Sequence, residues 1–573
     1  MLENLRLKLA HAEALPLLII LGIFTGLFAG GIIICFRLLV ETVQSEFLAE
    51  GNPENYEALS MAMRFVLPFA GAVLIGVMFH WLFKGPIPVG IVHVLERLTY
   101  HQGQLPVRNF IAQFLTAAIS IISGHSVGRE GPGVHLGAAG GSFLGQWLKL
   151  PNNTLRILVA CGAAASIAAS FNTPIAGVIF AMEVIVMEYT IAGFAPIIIS
   201  AVSATILTQA VFSDDAIFSS VSALRLSTLS ELSALLVMGV FIGALAALFN
   251  WLLKITTIKT KSLTFMTRMV IAGAITGVIA MGVPQVMGIG YDTVNLAMSG
   301  ELAIGILVII VLAKIVATTI GLGLGLPGGL IGPTLIVGAA AGEIVGIIMQ
   351  TITGGDATFA GFYAMLGMAA MMGATLQAPL AALMALLELT VNTNVILPGM
   401  MVVIIAGVTS SHLFKQQGIF IMLLKERGLD FSNSPIAQSL RRVGVSSVMS
   451  RSLTQQEHLL NRARAKELLD GKPDWIVIEK ENKPVAIMPS AELATFLSMN
   501  EEAEEINLLE IPGQRYDSGL IQVRDTLQVA LEKMDDKQLD VLYVGQQPAS
   551  ESERMRVEGV VTRHMVETQY RYR

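Results

Sequence analysis

The sequence predicts an all-α, multi-pass membrane protein with a water-soluble α+β domain at its C-terminal end. Hydrophobic residues make up 54% of the 573 residues and charged residues only 14%, whereas a soluble domain carries about 25% charged residues. The charge is also uneven, because half of all Asp, Glu, Lys and Arg residues lie between Arg441 and Arg573. Before Arg441, long apolar runs alternate with short Gly- and Pro-rich breaks, which is typical of membrane helices and the turns between them.

Four segments follow from this pattern. We assign them to a cytoplasmic N-terminus, a first and a second membrane half and a cytoplasmic C-terminal domain, at residues 1–14, 15–218, 219–428 and 429–573. The apolar run from Leu15 to Leu39 is longer than a signal-peptide core, so we expect a retained first helix. Arg6 and Lys8 precede this run and favour a cytoplasmic N-terminus. Because the soluble domain should also be cytoplasmic, we expect an even number of crossings, in a bacterial inner membrane.

The membrane body contains an internal duplication. The longest match pairs six residues of each half at a constant offset of 205 positions, namely Gly162, Ala164, Ala165, Pro174, Ala176 and Glu183 with Gly367, Ala369, Ala370, Pro379, Ala381 and Glu388. Two further blocks in the same order pair 131–132 and 137–139 with 332–333 and 338–340, and 22–26 with 239–243. Duplicated membrane halves usually meet at a shared binding site near the bilayer midplane.

Glu130 lies in one of three Gly- and Pro-rich breaks, at 85–90, 128–133 and 325–333. A carboxylate at bilayer depth usually marks a functional site. The second and third breaks each carry a proline suited to the first turn of a helix. Such a helix N-terminus presents unpaired N–H groups and partial positive charge. The sequence therefore predicts an anion-binding site around Glu130.

At these positions the sequence resembles the CLC family of chloride channels and proton-coupled chloride transporters. Gly128-Arg129-Glu130-Gly131-Pro132 is similar to the family's gating-glutamate motif, and Gly329-Leu330-Ile331-Gly332-Pro333 is similar to its second filter motif. Glu388-Leu389-Thr390, with Asn392 and Pro398, resembles the pattern after the second repeat. The resemblance implies an inverted-repeat fold with partly non-spanning helices and a lipid-embedded homodimer that has one pore in each subunit. It implies transport of chloride, with protons in some members, rather than an enzymatic reaction.

The resemblance also gives roles to single residues. Glu130 would be the gate, because its ionised carboxylate can occupy an anion site and leave when it is protonated or displaced. The anion would be bound mainly by backbone amides of the stretch 128–132 and of Leu330 and Ile331. The candidate anion-binding residues are together Gly85, Pro86, Ile87, Gly128, Arg129, Gly131, Leu330, Ile331 and Phe420. Gly85 stands where the family usually has a serine, and Phe420 stands at its aromatic-hydroxyl position. Both hydroxyl ligands are absent here, which leaves the preference between nitrate and chloride open.

A second departure concerns the proton. Many exchangers of the family have two acidic residues at the end of the third block, whereas this chain has Glu183-Val184. Valine cannot carry a proton, so a proton pathway through Glu130, Glu183 and position 184 would lack its internal carboxylate. We therefore expect an uncoupled chloride channel gated by voltage or pH, with a chloride/proton antiporter that uses a non-standard internal path as the alternative. We interpret Glu183 and Glu388 as structural carboxylates that accept N–H bonds from helix ends.

Two further functions compete with chloride transport. Gly124-His125-Ser126-Val127-Gly128 matches the Gly-x-Ser-x-Gly motif of a serine hydrolase, but that motif needs a strand-turn-helix in an α/β sheet, and the surrounding apolar sequence predicts helix. A fluoride exporter is the other alternative. The proline after Gly131 and the absence of an asparagine in the first filter stretch argue against it.

The remaining polar candidates have two interpretations each. Lys84 and Arg129 could attract anions, or Lys84 could simply reach the interface. His125 and His135 could tune the pH response of the gate or pack in the interior. No cofactor or metal site is expected.

The C-terminal domain alternates predicted strands and helices and weakly resembles a pair of cystathionine-β-synthase (CBS) domains. The predicted strands are 475–478, 485–488, 541–544 and 557–561, and the predicted helices are 459–469 and 526–534. His564 stands where nucleotide-binding CBS modules commonly have an aspartate, so an adenine nucleotide is a doubtful ligand and a structural role is at least as well supported. The acidic stretch 500–510 is interpreted as a linker, and no nucleic-acid partner is expected.

Overall fold

The structure is a computed structural model that describes most of the chain. The described residues are 6, 9, 14–48, 52–189, 191–212, 229–300, 302–353, 358–429, 435–500, 503–545 and 554–571. Most of the predicted N-terminus and the predicted boundary at 218 and 219 lie outside them. The chain divides into two compact units, which comprise residues 19–144 with 157–431, and residues 1–18 with 145–156 and 432–573.

The first membrane half contains eight described helices. They are α1 (Leu15–Phe47), α2 (Met61–Trp81), α3 (Ile91–Tyr100), α4 (Val107–Ile122), α5 (Glu130–Trp147), α6 (Asn152–Phe171), α7 (Pro174–Phe180) and α8 (Ile191–Val211). A π-helical turn, Ala181–Val186, follows α7 directly. The run predicted as the first helix is confirmed, and the helix extends beyond Leu39 to Phe47.

The second half repeats this series. Its helices are α9 (Leu229–Lys259), α10 (Phe265–Gly282), α11 (Tyr291–Ser299), α12 (Ile304–Leu324), α13 (Ile331–Thr353), α14 (Thr358–Leu376), α15 (Pro379–Thr390), α16 (Ile396–Val408) and α17 (Ile419–Glu426). Within the described residues, nine helices are long and apolar enough to cross a membrane, and four shorter apolar helices are not. The prediction of a multi-pass membrane body with partly non-spanning helices is confirmed.

Matched glycines make matched helix contacts in the two halves. A Cβ atom on Gly137 of α5 would lie 2.3 Å from the carbonyl oxygen of Gly162 on α6, and one on Gly338 would lie 2.3 Å from that of Gly367. These four glycines belong to the duplicated blocks. Each pair lets two helix backbones touch, as small residues do at membrane helix contacts. The duplication therefore preserves a backbone contact as well as a sequence pattern.

The matched glycines at 22–26 and 239–243 also allow close contacts between helices. Gly26 of α1 packs against the backbone of Ser200 on α8, where an added Cβ would lie 2.2 Å from the Ser200 oxygen. Gly243 of α9 packs against α16, where an added Cβ would lie 2.6 Å from Cβ of Thr409 and 2.7 Å from the oxygen of Ala406. Two long helices thus use equivalent glycines to approach equivalent neighbours.

The C-terminal domain is α+β, as predicted. Its elements are α18 (Pro435–Arg441), β1 (Leu453–Glu457), β2 (Leu459–Asn461), α19 (Arg462–Asp470), β3 (Trp475–Lys480), β4 (Lys483–Pro489), α20 (Ser490–Met499), β5 (Glu505–Asn507), β6 (Tyr516–Gln522), α21 (Leu527–Lys537), β7 (Val541–Gly545), β8 (Val557–Thr562) and α22 (Arg563–Arg571). Six strands form one sheet in the order β1-β3-β4-β6-β7-β8, and β2 pairs with β5. The parallel pair β1/β3 followed by the antiparallel pair β3/β4 recurs as β6/β7 and β7/β8.

Two predictions in this domain are wrong in part. The predicted helix from 459 begins instead with the strand β2, because Leu459 to Asn461 pair with Asn507 to Glu505. The same pairing makes 505–507 a strand rather than part of a linker, although residues 501 and 502 lie outside the described part of the chain. The strands β1 and β6 were missed, since their polar residues give no clear alternation of buried and exposed positions.

Candidate functional site

The breaks in the two halves meet at Gly128 and Gly329. The N–H of Gly128 donates to the carbonyl oxygen of Gly329 at 2.7 Å, and the N–H of Gly329 donates to that of Gly128 at 2.8 Å. This antiparallel bridge leaves no room for side chains, because a Cβ on Gly131 would lie 2.7 Å from Cα of Gly329. The bridge brings the N-termini of α5 and α13 together, as the duplication predicts.

Glu130 is the first residue of α5, and its side chain is completely buried. Its Oε2 accepts a hydrogen bond from the N–H of Gly332, in the first turn of α13, at 3.3 Å. Its Oε1 accepts a hydrogen bond from the hydroxyl of Tyr291. The carboxylate of one half thus lies on the helix N-terminus of the other, where unpaired N–H groups and the helix dipole favour an anion.

The other predicted anion ligands of these two breaks lie around the bridge. Leu330 and Ile331 are buried at the start of α13, where the first N–H groups have no partner within the helix. Gly131 packs against Gly329. The N–H of Gly128 is occupied by Gly329, so in this conformation a bound ion would take its hydrogen bonds from other amides.

The break at 85–90 borders a cavity of about 570 Å³. Pro86, Ile87, Leu330 and Phe420 line it, which brings residues of the predicted first and second filter stretches to one space. Gly85 precedes these residues with a φ of 124°, a conformation that disfavours other residue types. The Phe420 side chain is buried at the start of α17. The cavity therefore also borders the break at 325–333, where Gly325, Gly328 and Leu330 line it.

Two arginines line the same cavity, and sequence reasoning missed both. Arg427 forms an ion pair with Glu96 at 3.5 Å. Arg268 of α10 stacks near the Phe265 ring at 5.3 Å, and none of the described acidic residues forms an ion pair with it. Its guanidinium lies near Gly325, 3.9 Å from where a Cβ of that glycine would be. Arg268 is thus a positive charge facing the cavity next to the break at 325–333.

Arg129 does not point toward the predicted anion site. Its guanidinium forms an ion pair with Glu41 of α1 at 3.1 Å and donates to the carbonyl oxygen of Ser170 at 3.1 Å. It lies over the ring of Tyr291, 5.5 Å from the ring centroid. The Arg129 side chain therefore connects Glu41, Ser170 and Tyr291 beside Glu130. Glu41 partly neutralises its charge.

Arg129 also lines a small pocket of about 30 Å³. Arg37, Glu41, Glu54 and Arg129 contribute its charged lining. Glu54, in the loop after α1, accepts a hydrogen bond from the N–H of Asp292 at 3.0 Å. Burial and the neighbouring Asp292 carboxylate raise the pKa of Glu54 from 4.5 to about 7.

The histidines and Ser126 have packed positions. His135 shares a hydrogen bond of 3.0 Å with His93, and His125 lies 3.4 Å from the hydroxyl of Thr276. Ser126 is buried, and its hydroxyl bonds that of Thr318 at 2.8 Å. A serine held by another hydroxyl within an all-helical environment does not have the sheet context that the hydrolase motif requires.

Glu183 and Glu388 hold each other's helices. The carboxylate of Glu183 accepts from the N–H groups of Leu380 (3.3 Å) and Ala381 (2.7 Å) at the start of α15. That of Glu388 accepts from Ile175 (2.9 Å) and Ala176 (2.7 Å) at the start of α7. Val184 is buried beside Glu183.

Comparisons with known proteins identify the family of the chain. Residues 71–411 match the voltage gated chloride channel family. The chain is 31% identical over 396 residues to a ClcB-like chloride channel protein of Ralstonia nicotianae, covering 68% of this chain and 92% of the relative. It is 30% identical over 312 residues to the H(+)/Cl(-) exchange transporter ClcA of Vibrio cholerae, covering 53% of this chain and 66% of that one.

Solved structures show the same fold. A slow cyanobacterial Cl-/H+ antiporter aligns with a TM-score of 0.63 and 23% identity, over 72% of this chain and 97% of that one. A eukaryotic CLC transporter aligns with a TM-score of 0.61 and 18% identity, over 96% of this chain and 97% of that one. The predicted inverted-repeat membrane fold with a soluble α+β domain is therefore confirmed. The chain belongs to the voltage gated chloride channel family, and it is a multi-pass membrane protein that transports chloride.

Proposed function

We propose that this protein exchanges chloride for protons across the membrane, with Glu130 as both the gate of the anion site and the proton carrier. The observation that carries the proposal is the position of the buried Glu130 carboxylate on the N–H of Gly332, at 3.3 Å. Chloride and an ionised carboxylate would compete for the same helix N-terminus. Protonation removes the negative charge of the competitor, so proton binding favours chloride binding.

The comparisons support exchange better than the uncoupled channel that the sequence predicts. The Vibrio cholerae relative is named an H(+)/Cl(-) exchange transporter, and so is one from Yersinia pestis that is 27% identical over 421 residues. A carboxylate that binds a proton in one step and displaces an anion in another links the two fluxes through one group.

A chloride channel is the second candidate, because Val184 stands where an internal proton-carrying carboxylate is expected. The Ralstonia nicotianae relative is named a chloride channel protein. If protons cannot reach Glu130 from the internal side, Glu130 would only open and close the anion site. Proton movement that is driven by chloride distinguishes the two candidates.

The anion would approach the site through the 570 Å³ cavity. Arg268 places a positive charge there, and a cation in a cavity raises the local anion concentration. Pro86, Ile87 and Phe420 offer no side-chain hydrogen-bond donor to the ion. Binding therefore relies on backbone amides, whose partial charges hold an ion weakly enough for it to leave.

We further propose a homodimer in a bacterial inner membrane with both termini in the cytoplasm. Large apolar side chains are exposed on α16, including Leu397 (78% exposed) and Ile404 (50% exposed). In a membrane such side chains contact lipid or a second copy. The C-terminal domain would be a structural CBS-like pair, which the repeated strand pattern supports. We expect no tight adenine-nucleotide binding, since His564 cannot accept from ribose hydroxyls as an aspartate does.

The test is purified protein in liposomes, with chloride efflux and proton uptake recorded together against a pH gradient. We expect chloride efflux above that of empty liposomes, with uphill proton movement in a fixed ratio. Glu130→Gln should abolish proton movement and remove the pH dependence of chloride efflux, whereas Glu46→Gln, at an exposed position of α1, should change neither. Chloride efflux without proton movement would show that the protein is a channel. If chloride efflux did not exceed that of empty liposomes, the proposal that this protein transports chloride would be wrong.

A further inference from the structure

Tyr291 is a residue near Glu130 that neither motif contains. It is the first residue of α11, is buried, and donates its hydroxyl hydrogen bond to Oε1 of Glu130. We propose that Tyr291 is a positioning residue whose hydrogen bond holds the ionised Glu130 carboxylate on the anion site. We call this hydrogen bond the latch. The proposal rests on the proposed function, because it assumes that the position of Glu130 controls anion binding.

The Tyr291 ring is fixed from two sides. The ring of Phe171, at the end of α6, lies with its centroid 6.2 Å from that of Tyr291. The guanidinium of Arg129 lies 5.5 Å from the ring centroid, within the range of a cation–π contact. Arg129 is itself held by Glu41 and by the carbonyl oxygen of Ser170. The hydroxyl therefore approaches Glu130 from a braced position.

The backbone before Tyr291 is also fixed. Lys314 of α12 is completely buried, and its ammonium group donates to the carbonyl oxygens of Val286 (3.0 Å) and Gly288 (3.2 Å). Gly290 then has a φ of 83°, and a Cβ there would lie 2.8 Å from the Ile336 side chain. Because Lys314 holds this loop and Gly290 makes the turn, α11 begins with Tyr291 facing Glu130.

The latch distinguishes the two protonation states of Glu130. A hydroxyl that donates to a carboxylate forms a stronger hydrogen bond than one that donates to a neutral carboxyl group. The bond therefore favours the ionised carboxylate in the anion site and opposes both its protonation and its displacement by chloride. The other charged groups around Tyr291 and Glu130 are Glu41, Glu54, Arg129, Asp292 and Lys314. They lie on α1, in the loop after it, at the start of α5, and on α11 and α12. The latch does not alter them.

The test variant is Tyr291→Phe, which removes the hydroxyl and keeps the ring. The pH at which chloride flux is half-maximal should rise by about one unit. A hydrogen bond to a charged group is stronger than one to a neutral group, and the difference in free energy corresponds to about one pKa unit. Chloride binding to the purified protein, measured by calorimetry above the midpoint pH, should tighten roughly tenfold for the same reason. Melting temperature should change little because the ring contacts remain.

Two controls make the result specific. Tyr363→Phe alters another buried tyrosine, which packs against Gly342 in the later part of α13, and should shift neither the midpoint nor the chloride affinity. Glu130→Gln combined with Tyr291→Phe should have the same flat pH profile as Glu130→Gln alone, because the latch acts only through the ionisable gate.

The outcomes separate the latch from the proposed function. If the wild type transports chloride and Glu130→Gln flattens its pH profile, but Tyr291→Phe shifts neither midpoint nor affinity, the latch is wrong and the proposed function stands. If the wild type transports no chloride, the proposed function is wrong whatever Tyr291 does. A matching shift in Tyr363→Phe would also overturn the latch, because it would show a general packing effect.

Discussion

Gly128 and Gly329 exchange both of their backbone hydrogen bonds, so the two membrane halves are joined backbone to backbone at the predicted anion site. The two residues lie in different Gly- and Pro-rich breaks, separated by about half of the membrane body. The bridge sets the distance between Glu130 and the N-terminus of α13, and it makes the shape of this region sensitive to a single added methyl group.

Gly128→Ala tests that sensitivity. The new Cβ would lie 2.2 Å from Oε2 of Glu130 and 3.0 Å from the nitrogen of Gly332, so the carboxylate could not keep its position. We expect a loss of about 1–3 kcal/mol in the free energy of unfolding from overpacking and a strong loss of chloride flux in liposomes. Gly133→Ala is the matched control, because its Cβ would have ordinary contacts at 3.5 Å. Equal flux in both variants would contradict the close fit at Gly128.

Glu183 should be structural rather than a proton carrier. Glu183→Ala leaves the N–H groups of Leu380 and Ala381 without their acceptor, which should cost about 1–3 kcal/mol of stability. Glu183→Gln keeps an oxygen acceptor and should cost less. Thermal unfolding in detergent measures both. Proton uptake should stay coupled to chloride in Glu183→Gln, and its loss there at unchanged stability would place Glu183 in the proton pathway.

Val184→Glu should strengthen proton coupling. The substitution puts a proton-binding group at the buried position beside Glu183, where Val184 has none. We expect more protons moved per chloride in liposomes, with Val184→Gln as a control of similar size that binds no proton. An equal proton-to-chloride ratio in wild type, Val184→Glu and Val184→Gln would mean that internal proton supply is not limiting.

Arg268→Gln should weaken the capture of chloride from dilute solution. A charge about 7 Å from an ion in water contributes about 0.6 kcal/mol, so the chloride concentration for half-maximal flux should rise roughly threefold. The maximal flux should change little, and added inert salt should reduce the difference. Lys261→Gln is the control, since Lys261 is exposed and pairs with Glu426. A lower maximal flux with unchanged half-saturation would contradict this role.

Glu54 should make stability depend on pH. Its pKa is raised from 4.5 to about 7, so between these values the folded protein binds more protons at this site than the unfolded chain does. The free energy of unfolding should therefore fall as pH rises from 4.5 to 7. Glu54→Gln should remove this contribution, which melting temperatures at several pH values would measure. An unchanged slope in the variant would show that other groups cause it.

The sequence by itself determined the membrane body, the duplication and the place of Glu130 in a glycine-rich break. Apolar runs of helix length, glycines repeated at constant offsets and a carboxylate in a glycine-rich break are local patterns, and each reflects a local requirement of the bilayer or of close backbone contact. The same patterns predicted that Glu183 and Glu388, at matched positions of the duplication, accept N–H bonds from helix ends, and the structure shows that each does so for the helix of the other.

Only the tertiary structure decided which side chain contacts that carboxylate, which one lines the 570 Å³ cavity and which one holds the loop before α11. Tyr291, Arg268 and Lys314 belong to helices far from Glu130 in the sequence and to no repeated motif, so no pattern could connect them to it. The direction of Arg129, toward Glu41 rather than the anion site, likewise depends on how α1 packs. Spacing along the chain fixes where a helix begins, whereas the partners of a buried charge depend on every element that packs around it.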